Sequence, residues 1–222
     1  MKKLMIIVLA GFLLTGCSGL MILKESNMDQ KTIDRLYRDC KLDGRLDKFV
    51  FDKAMTGYGR IRSEKQNIIT IVDFSQPSTD KRMYVIDLKK KELLFRTYAA
   101  HGVNTGETEA VNFSNKKGSR KSSLGFYLTA ETYEGKHGLS LRLDGLEQGI
   151  NHRARKRYIV VHSANYVSEQ FIRENGRLGR SWGCPALPEE ISDDIINTIK
   201  DGSVFFIYAK NDDYLSRSKI LR

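Results

Sequence analysis

From Asn67 onward the chain is a succession of short apolar runs, each too brief for a helix and each closed by polar residues. Ile68-Ile69-Thr70-Ile71-Val72, Met83-Tyr84-Val85-Ile86 and Leu93-Leu94-Phe95 come first, and the runs at 126–128, 139–143, 158–161 and 204–208 follow. Their β-branched and aromatic content, bounded by turn residues, predicts strands. Two helical patterns interrupt them, at 168–174 and at 189–200, the second entered after Pro188 and stopped by Gly202. Ahead of the strands the spacing is helical. Ile33, Leu36, Tyr37 and Cys40 form one stripe, and Leu46, Phe49, Val50 and Ala54 a second, with Gly44 between them and Gly57 and Gly59 as the expected stop. The pattern predicts a mainly β domain carrying a helical N-terminal appendage. At 222 residues, 41% of them hydrophobic, the chain can bury a core, which excludes wholesale disorder.

The first residues read as a leader. Lys2 and Lys3 precede an apolar run at 4–14, shorter than the roughly 20 residues a membrane-spanning helix needs. Leu14 occupies the −3 place of an ordinary cleavage site, which wants a small residue there. Leu14-Thr15-Gly16-Cys17 instead resembles the lipobox of bacterial lipoproteins, which implies that Cys17 is lipidated and becomes the new N-terminus. Several acyl chains on one residue give stable anchoring where one does not. The expected division is a leader at 1–16, an anchor and helical appendage at 17–62, the main domain at 63–210 and a C-terminal tail at 211–222. The expected location is the bacterial cell envelope, attached to a membrane.

The formal charge is +10, and losing the leader leaves 35 basic against 27 acidic residues, or +8. For an exported chain nucleic acid is an unavailable partner, and anionic envelope polymers or lipid headgroups are the counter-charges within reach. The basic clusters at 89–91, 116–120 and 153–157 fall in expected turns and read as solvated charge.

Three cysteines are too few for a disulfide framework or a multi-zinc scaffold. With Cys17 assigned to lipid, Cys40 and Cys184 remain, and by counting alone they can pair in an oxidising compartment. Their settings differ. Cys40 lies on an apolar helical stripe, as an inert buried thiol does. Cys184 lies in Gly179-Arg180-Ser181-Trp182-Gly183-Cys184-Pro185-Ala186-Leu187-Pro188, which holds the only tryptophan and two of the three prolines. Permissive and rigid residues packed so closely predict a fixed loop that presents a side chain. Arg177 and Arg180 stand near enough in sequence to favour a thiolate. A cysteine nucleophile needs a base, usually histidine. His162 closes a strand run and His101 follows another, whereas His137 and His152 fall in glycine-rich or charged turns and read as solvated. The pairing with Cys184 singles out His162.

At this point the chain resembles a family. His162-Ser163, followed 22 positions later by Cys184 in Ser181-Trp182-Gly183-Cys184, resembles the signature of L,D-transpeptidases. The commoner YkuD type reads H-G and then S-H-G-C-x-R. The nearer likeness is to a divergent branch, the murein L,D-transpeptidase catalytic domain, through His101-Gly102-Val103-Asn104-Thr105-Gly106, Phe113-Ser114-Asn115, Lys121-Ser122-Ser123-Leu124-Gly125, Ser140-Leu141-Arg142-Leu143-Asp144-Gly145-Leu146-Glu147 and the stretch 179–185. It runs from about Ile69 to Tyr208. The resemblance implies a mostly antiparallel β-sandwich with its site at one open end, no cofactor and no metal, and peptidoglycan stem peptides as substrate. It assigns Cys184, His162 and Gly183 to catalysis, with the Gly183 and Cys184 N–H groups receiving the oxyanion. It assigns His101, Asn104, Ser122, Ser123, Arg142, Arg180 and Trp182 to substrate binding.

Three positions depart from the commoner signature: Trp182 replaces its second histidine, Ala186 its arginine, and Ser163 the glycine after His162. Arg180 or Arg142 is the expected substitute for the missing cation. Trp182 either walls the cleft or packs inward as a prop. The rivals are weaker. A papain-like or NlpC-type peptidase places its cysteine before its histidine, and a zinc site needs three or four ligands where no C-x-x-C or H-x-x-x-H occurs. A trimming L,D-carboxypeptidase uses the same residues with water as acceptor. A non-catalytic wall-binding lipoprotein on the same scaffold requires Cys184 to be paired or blocked.

Overall fold

The computed structural model describes residues 28–65 and 67–222, so the leader and Cys17 lie outside the described residues. Two helices, α1 (Gln30–Asp39) and α2 (Lys48–Arg60), precede strands β1 (Ile68–Asp73), β2 (Met83–Asp87) and β3 (Glu92–Thr97). Then come β4 (Gly125–Gly135), β5 (Gly138–Gly145), a 3-10 turn (Arg155–Arg157) and β6 (Val160–Ser163). The chain ends with α3 (Glu169–Asn175), β7 (Ala186–Leu187), α4 (Glu189–Ile199), β8 (Val204–Tyr208) and α5 (Asp212–Arg217).

The strands form one eight-stranded sheet in the order β3-β2-β1-β8-β4-β5-β6-β7. It is mostly antiparallel, and β1–β8 and β6–β7 are its parallel pairs. The sheet is barrel-like because its ends meet: Ala100, just beyond β3, bridges Ala186 in β7. β1, β2 and β8 are buried along their whole length, which is why they read as unbroken apolar runs rather than as alternation. At the sheet's outer end the β2–β3 register slips between Val85 and Ile86.

Side chains cap the helices. Asp29 accepts from the Thr32 N–H and Asp47 from those of Phe49 and Val50. The apolar stripes of α1 and α2 enter the same core as the sheet, with Ile33, Leu46, Phe51 and Met55 buried beside β1 and β8 residues. The Tyr84 hydroxyl in β2 reaches back to the Arg45 carbonyl at 2.6 Å. The appendage is therefore a layer of the domain. Residues 211–222 are likewise docked: α5 buries Tyr214, Ile220 joins the core, and buried Glu147 accepts hydrogen bonds from the Ser218 hydroxyl and the Phe126 N–H.

Gly57 and Gly59 do not end α2, which continues to Arg60. Gly57 serves packing instead: a Cβ there would lie 2.1 Å from Phe126 Cζ, and that ring is itself stacked on Phe206 at 4.1 Å. Gly57→Ala is expected to destabilise the fold by about 1–3 kcal/mol through overpacking, even though alanine is the better helix former. A thermal melt reads this, and an unchanged or raised midpoint contradicts the close packing.

Candidate active site

β6 lies between β5 and β7, so His162 is held from both sides, opposite Ser140 on one and Ala186 on the other. Cys184 precedes Ala186 by two residues. Carrying the parallel register back sets it beside Val160, whose N–H points at Sγ from 3.5 Å, while Sγ faces the Tyr158 carbonyl at 3.4 Å. Both side chains open into one cleft of about 530 Å³, lined also by Tyr133, Lys136, His137, Arg157, Tyr158, Tyr166, Arg180 and Trp182. A groove of about 630 Å³ elsewhere carries Arg62, Glu131, Asp144 and Arg155. Arg155 pairs with both of those acids, and neither cysteine nor histidine lines that groove.

The Cys184 loop is fixed by close backbone approach. Gly183 has φ +122°, and a Cβ on it would lie 2.7 Å from the Lys121 carbonyl oxygen. The Ser181 hydroxyl donates to the Cys184 carbonyl at 2.6 Å and accepts the Gly183 N–H at 3.0 Å. The Gly183 N–H, expected to receive the oxyanion, is thereby engaged by Ser181. The Cys184 N–H has no hydrogen-bond partner among the described residues.

His162 Nδ1 lies 2.7 Å from the Ser163 carbonyl oxygen. A carbonyl only accepts, so Nδ1 carries the proton and Nε2 keeps its lone pair. Burial pushes the imidazole below its ordinary range; the Ser163 carbonyl opposes this, while His137 and Lys136 add to it. Burial pushes the Cys184 thiol up, with the Val160 N–H and the Arg157 charge pulling back. Both shifts favour a neutral thiol beside a neutral imidazole over an ion pair.

Of the expected site residues, Cys184, His162, Arg180 and Trp182 line the cleft. Trp182 is 70% exposed, with the Arg120 guanidinium over its ring at 4.6 Å, so it is a cleft wall and not an inward prop. The others are engaged within the protein. His101 is fully buried, its Nδ1 accepting from Arg82 at 2.8 Å and its Nε2 lying 3.2 Å from the Gly106 carbonyl, and burial lowers its pKa to about 4. Ser122 donates to the Gly183 carbonyl, Ser123 accepts from Tyr127 and Arg157, and Asn104 donates to the Ser119 carbonyl. Arg142 is paired with Glu131 at 3.0 Å and lies over the Tyr133 ring.

The cation nearest in effect to the thiol is Arg157, of the 153–157 cluster whose sequence reads as solvated charge. Arg157 binds the Lys121 and Ser114 carbonyls and the Ser123 hydroxyl, and its charge acts on Cys184. His137 was also read as solvated, yet its ring stacks on His162 at 4.6 Å. The Gly135-Lys136-His137-Gly138 turn was the available signal, since a two-residue hairpin projects its tip. Cys40 and Cys184 are both unpaired, and burial raises Cys40 to about 11. Among the described residues no group of three His, Cys, Asp or Glu side chains is placed to hold a metal ion.

Cys184, two residues ahead of β7, and the tautomer-fixed His162 of β6 thus share one cleft of a closed mixed sheet. The model of the L,D-transpeptidase catalytic domain matches residues 42–208, and the chain belongs to that family. A comparison with curated proteins finds no match. Among solved structures, an L,D-transpeptidase from Mycobacterium smegmatis aligns at 13% identity and TM-score 0.39, over 64% of this chain and 59% of that one. L,D-transpeptidase 3 from Mycobacterium tuberculosis, in complex with a faropenem-derived adduct, aligns at 16% and 0.38, over 64% and 60%. The helical cell shape determining protein Pgp2 from Campylobacter jejuni aligns at 16% and 0.45, over 68% and 49%. The chain thus spans 49–60% of the length of these relatives.

The neutral pair predicts the pH dependence of thiol alkylation. The rate of iodoacetamide labelling at Cys184 is expected to climb through and beyond the ordinary cysteine range near ~8.5, without an acid-side plateau. A half-maximal rate below about pH 7 would instead show a standing thiolate–imidazolium pair.

Proposed function

We propose that this chain is an L,D-transpeptidase acting on peptidoglycan stem peptides, with Cys184 as nucleophile and His162 as base. The observation that carries the reading is the placement of Cys184 and His162 in one cleft, with Nδ1 committed to the Ser163 carbonyl and Nε2 left to take a proton. As Sγ attacks the carbonyl of the stem's diamino acid, its proton passes to Nε2. The Cys184 N–H meets the developing oxyanion, a donor of the kind that contributes about 3 kcal/mol. The tetrahedral adduct collapses to a thioester, and the proton on Nε2 leaves with the amine of D-alanine. An amine from a neighbouring stem then attacks the thioester, giving its proton to Nε2 and forming a cross-link as Sγ recovers a proton. Water in the same place yields a trimmed stem.

The cleft lining supports the substrate class. Lys136 and Arg157 line it, as does Arg180, whose guanidinium is paired with Glu107 at 2.6 Å, and among the described residues no acidic side chain lines it, which suits a polymer rich in carboxylates. The unpaired Cys184 weighs against a non-catalytic wall binder. Mass spectrometry of peptidoglycan incubated with the protein tests the reading: cross-linked dimers are the expected product, and shortened monomers alone would make the enzyme an L,D-carboxypeptidase. Cys184→Ala is expected to abolish both products at unchanged melting temperature, His162→Gln to slow acylation by about 10²–10⁴-fold, and Cys40→Ala to leave turnover intact. Turnover surviving in Cys184→Ala would sink the assignment.

We also propose export and lipid anchoring through Cys17. In detergent phase separation, the Cys17→Ser form is expected to move from the detergent to the aqueous phase. Unchanged partitioning would point to another means of attachment.

A further inference from the structure

The tip of the β4–β5 hairpin makes two contacts that the mechanism above does not use. The His137 ring lies 4.6 Å from that of His162, with the planes 27° apart. The His137 carbonyl accepts a hydrogen bond from the Ser163 hydroxyl at 2.8 Å. Ser163 is also the residue whose carbonyl holds His162 Nδ1. One residue of the hairpin therefore touches both the base and the group that orients the base. Sheet pairing does not require this. β5 meets β6 through Ser140, Leu141 and Arg142, while Lys136 and His137 project beyond the Gly135–Gly138 pair.

A single hydrogen bond fixes one point of an imidazole and leaves the ring free to rock about it. A second ring laid against its face removes that freedom. The geometry points to His137 as a positioning residue that, with the Ser163 hydroxyl, clamps the His162 ring in the plane from which Nε2 serves Cys184. The inference rests on the Cys184–His162 reading. His137 touches the base and not the reacting atoms. It also gives the serine after His162 a use that a glycine could not supply, because only the hydroxyl reaches the hairpin.

The test pairs two substitutions at each position. His137→Ala removes the ring and His137→Phe restores an apolar one; Ser163→Gly keeps the carbonyl and removes the hydroxyl, and Ser163→Thr restores it. With a stem tetrapeptide, His137→Ala and Ser163→Gly are expected to lower kcat about tenfold with KM within about twofold, and the Phe and Thr forms to recover most of the loss. A wild-type kcat in His137→Ala, or a Phe form as slow as the Ala form, overturns the clamp. Iodoacetamide labelling of Cys184 at pH 7 separates this from the functional reading. If the wild type fails to acylate the tetrapeptide, that reading falls, and the labelling series still decides: slower in His137→Ala and recovered in His137→Phe supports the clamp, equal rates refute it.

Discussion

The short parallel pairing of β6 with β7 is the contact on which the cleft depends. β7 has only two residues, and yet it places Cys184 two positions from the partner of His162. So brief a pairing has little strength by itself, and the structure supplies it from the other side. The Ala100–Ala186 bridge closes the sheet on β7, and the Ser181 N–H and Val103 N–H bonds extend that seam toward Cys184. Behind the seam Ser122, His101 and Arg82 form a buried polar layer whose donors and acceptors are matched. Buried polar groups left unpaired there would each cost about 1–3 kcal/mol, so the layer tolerates few alternative loop positions. Ser122 and His101, expected to hold substrate, are thus engaged in holding the loop.

The resting electrostatics follow from the same burial. A standing thiolate in the cleft would need stronger compensation than one backbone N–H and the charge of Arg157, whose guanidinium is already shared between the Ser114 and Lys121 carbonyls. Keeping the thiol protonated avoids that cost. Arg157 then has two effects through one group: it ties the loop segment 114–123 in place and lends positive charge to the sulfur.

Much of this was legible in the chain because local pattern and final structure agree. The runs that became β1, β2 and β8 are buried on both faces, and their composition says so without tertiary knowledge. The Cys184 loop announced itself by its glycines, prolines and tryptophan, and a Cβ on Gly179 or Gly183 would collide with Tyr166 or with the Lys121 carbonyl. What stayed hidden depends on contacts distant in sequence. β7 lies between Pro185 and Pro188 and is a strand only because β6 and Ala100 flank it. Arg157 and His137 sit in polar turns, where solvation is the ordinary outcome, and only the docking of those turns onto the loop and onto β6 changes their role. Residues 211–222 read as a tail because a short helix carries little periodic signal, and Glu147 as its anchor is more than sixty positions away.

β3, at the sheet's other end, has a consequence for how copies of the chain behave together. Its middle residues Leu93, Leu94 and Phe95 are only half-buried, and beyond the Ala100 seam no further strand lies on its outer edge among the described residues. Such an edge is a template for intermolecular strand addition. Exposed Glu92 and Arg96 frame the apolar residues, the lysine turn at 89–91 leads into the strand, and the slip at Val85–Ile86 disturbs the register inside it. An incoming strand would have to desolvate those charges and follow an irregular partner. Charge and irregularity at this edge therefore oppose strand addition by a second copy.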